Sequence, residues 1–222
     1  MHNLLVEESA APPYAVTGSG DSLAMPAYEG AASVPVNDDL PFFTEEELNE
    51  AKAKGFFESY SDLDSLGRCG AATACVSEKD MPGVPREDIS SIRPTGMQNH
   101  EYEFLSESYN SAWLYNRCHL IAYQLTGQNA NEKNLITGTQ YLNFDGMLPY
   151  EKKIMEYLYE TDHHVLYRVT PLFTGDNLVA GGVLMEARSL EDDGRGLCFC
   201  VYCFNIQPGV LIDYRTGENR PE

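Results

Sequence analysis

The stretch that decides the fold runs from Trp113 to Glu160. It opens as Trp113-Leu-Tyr-Asn-Arg-Cys-His-Leu-Ile-Ala-Tyr-Gln-Leu125 and resumes a few residues on as Asn134-Leu-Ile-Thr-Gly-Thr-Gln-Tyr-Leu-Asn143. His119 to Leu125 reads as a half-buried strand or strand end, and Asn134 to Ile136 as a second short extended element. Gly146 and Pro149 then bracket a break, and Pro149 suits the first turn of a helix that reaches about Glu160. Tyr150, Ile154 and Leu158 recur every four residues, which gives that helix one apolar stripe.

Downstream, Val165 to Val169, Val179 to Glu186 and Leu197 to Ile206 alternate or run apolar between Gly, Asp and Asn turns, as two or three antiparallel strands would. Upstream, Gly67 to Cys75 resembles a short strand between turns, and Met81 to Gln98, with three prolines and two glycines, reads as loop with at most one strand. Thr44 followed by Glu45, Glu46 and Glu47 is a helix start with acids in its first turn, so a helix is expected from there to about Lys54. There is no alternating βαβ pattern and no internal repeat. The expected class is α+β, a central antiparallel sheet with flanking helices. Residues 1–40 are expected to form an extended, low-complexity arm rich in Ala, Pro, Gly and Ser, and 41–222 a single domain.

Composition narrows the function classes. The chain has 222 residues with a formal charge of −19, and residues 1–66 set 13 acids against only Lys52 and Lys54. That balance argues against a protein held on nucleic acid by bulk positive charge. No run approaches the roughly 18 apolar residues of a membrane span. The first ten residues lack the charged start and apolar centre of a signal peptide, so the sequence reads as cytoplasmic or as a mature form with its export signal trimmed. Six cysteines, at 69, 75, 118, 198, 200 and 203, are expected to be buried thiols or disulfides, the even count leaning towards an oxidising compartment. Cys200-Val-Tyr-Cys203 lies in a strand-like run without a second knuckle, unlike a zinc or redox site.

Histidine is scarce, with only His2, His100, His119, His163 and His164. His163 and His164 follow Asp162 at a helix end, where cations offset the dipole. His119 stands apart, because Asn116-Arg117-Cys118-His119 gathers an amide, a guanidinium and an imidazole at a strand entrance. By its own composition this group also suits a structural histidine. With Asn134 through Asn143 and then Glu151 behind it, the arrangement resembles the DNA/RNA non-specific endonuclease family and its ββα-metal, or His-Me finger, motif. Asn116 to His119 is similar to the family's Asp-Arg-Gly-His signature. Asn134 to Asn143 is similar to its strand running into a helix with a metal-binding Asn, and Glu151 to the acid on that helix. The resemblance spans about residues 60–215, the motif itself about 113–160. It departs at two places: Asn116 replaces an acid, and Cys118 replaces a glycine.

The resemblance implies a secreted or cell-surface, Mg²⁺-dependent enzyme, with Mn²⁺ as a substitute, that hydrolyses DNA and also RNA to 5′-phosphate ends. It implies His119 as general base, Asn143 as metal ligand and Glu151 as a ligand through water. Asn134 or a backbone carbonyl would steer the imidazole, and Arg117 would clamp the phosphate or else brace the strand end. Arg93 is a candidate substrate contact, and Gln140 either a second one or a cap on the core. Mg²⁺ takes oxygen ligands and keeps several waters, so one amide oxygen can serve as its direct protein ligand. Residues 113–153 carry four bases against three acids, so the expected affinity is weak and strongly salt-dependent. Two other readings compete. A catalytically weakened domain kept for binding is motivated by Asn116 and Cys118. A serine or cysteine hydrolase lacks a Gly-x-Ser-x-Gly and would need Cys118 and His119, neighbours in a strand, to face each other.

Overall fold

The computed structural model of the chain describes residues 25–222 and, before them, two paired two-residue strands, β1 (Tyr14–Ala15) and β2 (Ser22–Leu23). His2 and half of residues 1–40, the expected arm, lie outside the described residues. The described part of the arm belongs to the fold. Its strand β3 (Ser33–Pro35) pairs antiparallel with β10 (Cys198–Phe204), while Met25, Val34 and Val36 pack on Leu172, Tyr202 and Phe204. A domain boundary at residue 40 would therefore leave out an edge strand of the sheet. Apolar side chains without a period can still cover a sheet edge, which periodicity does not register.

That sheet has six strands in the order β3-β10-β9-β8-β5-β4, every pair antiparallel, with β4 (Phe57–Tyr60), β5 (Ala72–Val76), β8 (Val165–Leu172) and β9 (Gly182–Ser189). Side chains alternate across its two faces. Val165, Tyr167 and Val169 join the main core, whereas Leu166 between them joins a second cluster on the opposite face. On that second face lies α1 (Glu45–Lys54), which buries Leu48 and Ala51 against Cys75, Leu166 and Leu190. It starts as expected at Thr44, whose hydroxyl accepts the Glu47 N–H while the Glu47 carboxylate accepts the Thr44 N–H. Fully buried Glu186 fastens this corner, taking the Phe42 N–H and two N–H groups of Arg168, which also reaches Glu47.

The main core face is covered by the stretch quoted first. Strands β6 (Tyr115–His119) and β7 (Leu135–Thr139) pair antiparallel, with His119 opposite Leu135. A π-helical turn, Tyr141–Met147, then runs directly into α4 (Leu148–Glu160), which buries Ile154 and Leu158. Two expectations change here. His119 ends its strand, and the apolar residues after it turn into the short helix α3 (Tyr123–Thr126), closed by left-handed Gly127. Gly146 and Pro149 do not break the chain, because the helix continues through both and Pro149 sits in the first turn of α4.

Between β5 and β6, residues 81–98 carry no strand, and α2 (Glu103–Tyr109) is a helix of seven residues that no sequence signal announced. The hairpin of β11 (Val210–Ile212) and β12 (Asn219–Pro221) completes the chain. All six cysteines are free thiols, so their even number carries no argument for an oxidising compartment. No helix among the described residues is long and apolar enough to cross a membrane.

Candidate active site

His119 is 8% exposed at the end of β6, and its two ring nitrogens have different partners. Nε2 lies 2.9 Å from the Asn129 carbonyl oxygen. A carbonyl only accepts, so Nε2 carries the proton and Nδ1 keeps its lone pair. Nδ1 faces Arg86, whose Nη2 is 3.4 Å away. Burial, first of all, and then the Arg86 charge disfavour the imidazolium, while the Asn129 bond partly offsets them; the net effect holds the ring below its usual pKa. The ring is thus a neutral imidazole whose one acceptor, Nδ1, takes the Arg86 N–H.

A backbone carbonyl, not Asn134, steers that ring. Asn134 is fully buried, and its side chain closes the chain reversal after His119: Oδ1 accepts the Ile121 N–H at 2.8 Å and Nδ2 donates to the Ile121 carbonyl at 3.0 Å. It acts on the backbone two residues beyond the imidazole.

Asn143 and Glu151 are brought together by the π turn. An ordinary α-helix would set residues eight apart off by about 80° around the axis. Here the Leu148 N–H donates to the Asn143 carbonyl five residues back, one residue more than an α turn spans. The extra residue leaves Glu151 in the phase that the seventh residue of an α-helix would take. Both side chains line one cleft of about 400 Å³ with Arg86, Asn116, Arg117 and His119.

Glu151 is partly exposed and faces that cleft, and its carboxyl group has no hydrogen-bond partner among the described residues. Desolvation pushes its pKa up to about 8. A carboxyl so placed lacks a positive partner, and a hard divalent cation beside the Asn143 amide oxygen would supply one. Among the described residues no three His, Cys, Asp or Glu side chains converge as a metal-binding group. A cation here would therefore draw the rest of its shell from water and substrate.

Cys118 reaches the same centre from below. Its thiol donates to Asn143 Oδ1 at 3.1 Å. Room for this side chain comes from Gly138 on β7, where an added Cβ would lie 2.7 Å from the Cys118 Cβ. Burial lifts the thiol pKa far above its ordinary value, so it remains a neutral donor.

The other expected residues divide. Arg117 lines the cleft, and its guanidinium also donates to the carbonyls of Ile92 at 2.5 Å and Ser90 at 2.8 Å, so it braces the loop along the cleft wall. Gln140 is sealed at 1% exposure between Asn116 and the Trp113 carbonyl and does not reach the cleft. Arg93 donates to the Met97 carbonyl and lines a neighbouring groove instead. Sequence reading missed Arg86, which sits 33 residues before His119 in a segment without pattern. Its one signal was that it is a rare cation in an acidic chain.

The fold matches solved nucleases. NucA from Streptococcus agalactiae, solved with magnesium bound, superposes with a TM-score of 0.72 at 23% identity, over 85% of this chain and 86% of that one. The Sda1 nuclease, solved with a bound zinc ion, gives 0.64 at 26% identity over 75% and 81%. An extracellular endonuclease gives 0.60 at 19% identity over 88% and 100%. A family model described as DNA/RNA non-specific endonuclease matches residues 48–191, a span that takes in the hairpin, the π turn, α4 and every residue lining the cleft. The chain belongs to the DNA/RNA non-specific endonuclease family.

Proposed function

We propose that this chain is a divalent-metal-dependent endonuclease that hydrolyses phosphodiesters of DNA and RNA with little base preference, with His119 as general base and 5′-phosphate products. The observation that carries the reading is the placement of a neutral imidazole, its unprotonated Nδ1 turned towards Arg86, in one cleft with Asn143 and Glu151. In this reading Nδ1 takes the proton of the attacking water while the Asn129 carbonyl holds the ring in its tautomer. Arg86 binds a phosphate oxygen beside the attack site, and Arg117 offers a second charge while it holds the loop. Asn143 and Glu151 would hold the cation. Magnesium, when bound, screens the phosphate charge and stabilises the departing 3′ oxygen; the magnesium-bound and zinc-bound neighbours support a divalent ion, with manganese a workable substitute. Two neighbours are an extracellular endonuclease and an extracellular nuclease, which supports action outside the cell or at its surface.

Supercoiled plasmid nicking tests the reading. Wild-type protein should convert the plasmid to nicked and linear forms with Mg²⁺ and stop in chelator. His119→Ala should lose at least about a hundredfold, the usual size of a general-base contribution. Equal cutting by wild type and His119→Ala would place the activity elsewhere.

A further inference from the structure

The residue after Asn143 is Phe144, and it stands in the wall of the same cleft. It is 42% exposed, whereas Leu142 and Met147 on the same π turn are buried and supply the packing. Tyr109 of α2 stacks on Phe144 with ring centres 5.7 Å apart and planes inclined by 29°. Tyr109 is itself fixed, since its hydroxyl donates to Asp145 at 2.7 Å. The result is a braced aromatic surface beside the metal-binding amide, with one ring backed and still open to the cleft.

We propose that Phe144, braced by Tyr109, is a stacking platform for an unpaired nucleobase next to the scissile phosphate, which makes single-stranded stretches the better substrate. The inference rests on the nuclease reading. Arg86, Asn143 and Phe144 line one cleft, so a nucleoside attached to a phosphate held there runs along the wall that carries the ring. A base in a duplex has both faces covered by its neighbours and must leave the stack before it can meet a protein ring. An unpaired base offers a free face at once, and every base has one, so stacking adds affinity without sequence preference. The cleft needs such a contribution, because in a chain of charge −19 its lining among the described residues has two arginines as its only cations.

The test uses oligonucleotides with one cleavable phosphodiester among uncleavable methylphosphonates, in Mg²⁺, as a single strand, as a duplex and as a single strand lacking the base beside the scissile phosphate. For wild type the single strand should show the lowest KM, and loss of the base should raise KM about tenfold. Phe144→Ala should raise KM on the base-bearing single strand by a similar factor with a much smaller change in kcat, and Phe144→Tyr should restore it. In Phe144→Ala, loss of the base should have little further effect, because base and ring act on each other. Thermal melting of each variant checks that the fold is kept. An unchanged KM in Phe144→Ala overturns the platform, as does a fall in kcat alone, or effects of base and ring that simply multiply. If the wild-type protein cut no nucleic acid at all, the nuclease reading itself would fall, and that result cannot be confused with a loss confined to the Phe144 comparison.

Discussion

His119 shows how two contacts set the chemistry of one side chain. The Asn129 carbonyl fixes which nitrogen is protonated, and the buried setting with Arg86 opposite keeps the ring neutral. The sign of the pH dependence follows. In the proposed mechanism the base works only when neutral, so activity should be lost as pH falls through the folded-state pKa, and that pKa lies below the ordinary 6.5. The acid limb of kcat/KM should therefore have its midpoint below pH 6.5 and be level above it until other groups titrate. Arg86→Met removes a repelling charge and should move the limb upward while lowering the plateau. A wild-type limb centred at 7 or above would contradict this environment for the ring. Arg117 and Arg86 carry a related lesson. Arg117 was visible because it stands two residues before His119 in sequence, yet its guanidinium is shared with two loop carbonyls. Arg86 stands nearest the reactive nitrogen and belongs to a segment whose position only tertiary closure decides.

The working unit at the next scale is two strands, a π turn and α4, and its tolerances are tight. Cys118 occupies the place where the family signature has glycine, and Gly138 on the facing strand gives up the volume that the thiol takes. The thiol then holds Asn143 Oδ1. Gly138→Ala puts a Cβ 2.7 Å from the Cys118 Cβ, closer than carbons approach, so the hairpin must part or the thiol must swing away from Asn143. Overpacking of this kind costs about 1–3 kcal/mol, which urea or thermal unfolding would read, and plasmid cleavage should fall with it. Adding Cys118→Gly to the same chain removes the collision and should recover the stability and part of the cleavage. Full activity in Gly138→Ala, or no recovery in the double variant, would show that this contact does not govern the site.

Much of this unit was legible in the sequence: the Tyr150, Ile154, Leu158 stripe is the buried side of α4, and the Thr44 cap starts α1 where expected. The π turn was not, because Gly146 and Pro149 spell a break to local rules, while a wide turn with Leu148 bonded to Asn143 keeps the chain helical. Seven-residue α2 also escaped, since it has no side-chain cap and buries only Leu105. Asn134 and Gln140 were visible as polar residues near the site, but whether a polar side chain faces a cleft or ties backbone depends on burial that sequence does not show.

Across the whole molecule, charge and cleft oppose each other. The chain carries −19, and the acids cluster before residue 66 and on exposed turns, so the average field repels a polyanion. Among the described residues the cations lining the cleft are Arg86 and Arg117, and Arg117 is partly committed to the loop. Salt acts on these two terms in opposite directions. Displacing counterions from two phosphates weakens binding with a slope of roughly −1.4 to −1.8 in log–log form. Screening of the long-range repulsion works the other way, since the Debye length shortens from above 10 Å to below it over the same range. The two-arginine cleft therefore implies a shallower dependence than composition alone suggested. KM for DNA should rise no more than about tenfold between 50 and 200 mM NaCl at fixed Mg²⁺, against the 10³–10⁵ losses of proteins with six to ten phosphate contacts. Initial rates over a range of DNA concentrations at four salt levels would measure the slope. A value steeper than about −4 would mean that basic side chains beyond these two bind the backbone. A slope near −1, with KM still sensitive to the base beside the scissile phosphate, would mean that stacking rather than charge holds the substrate.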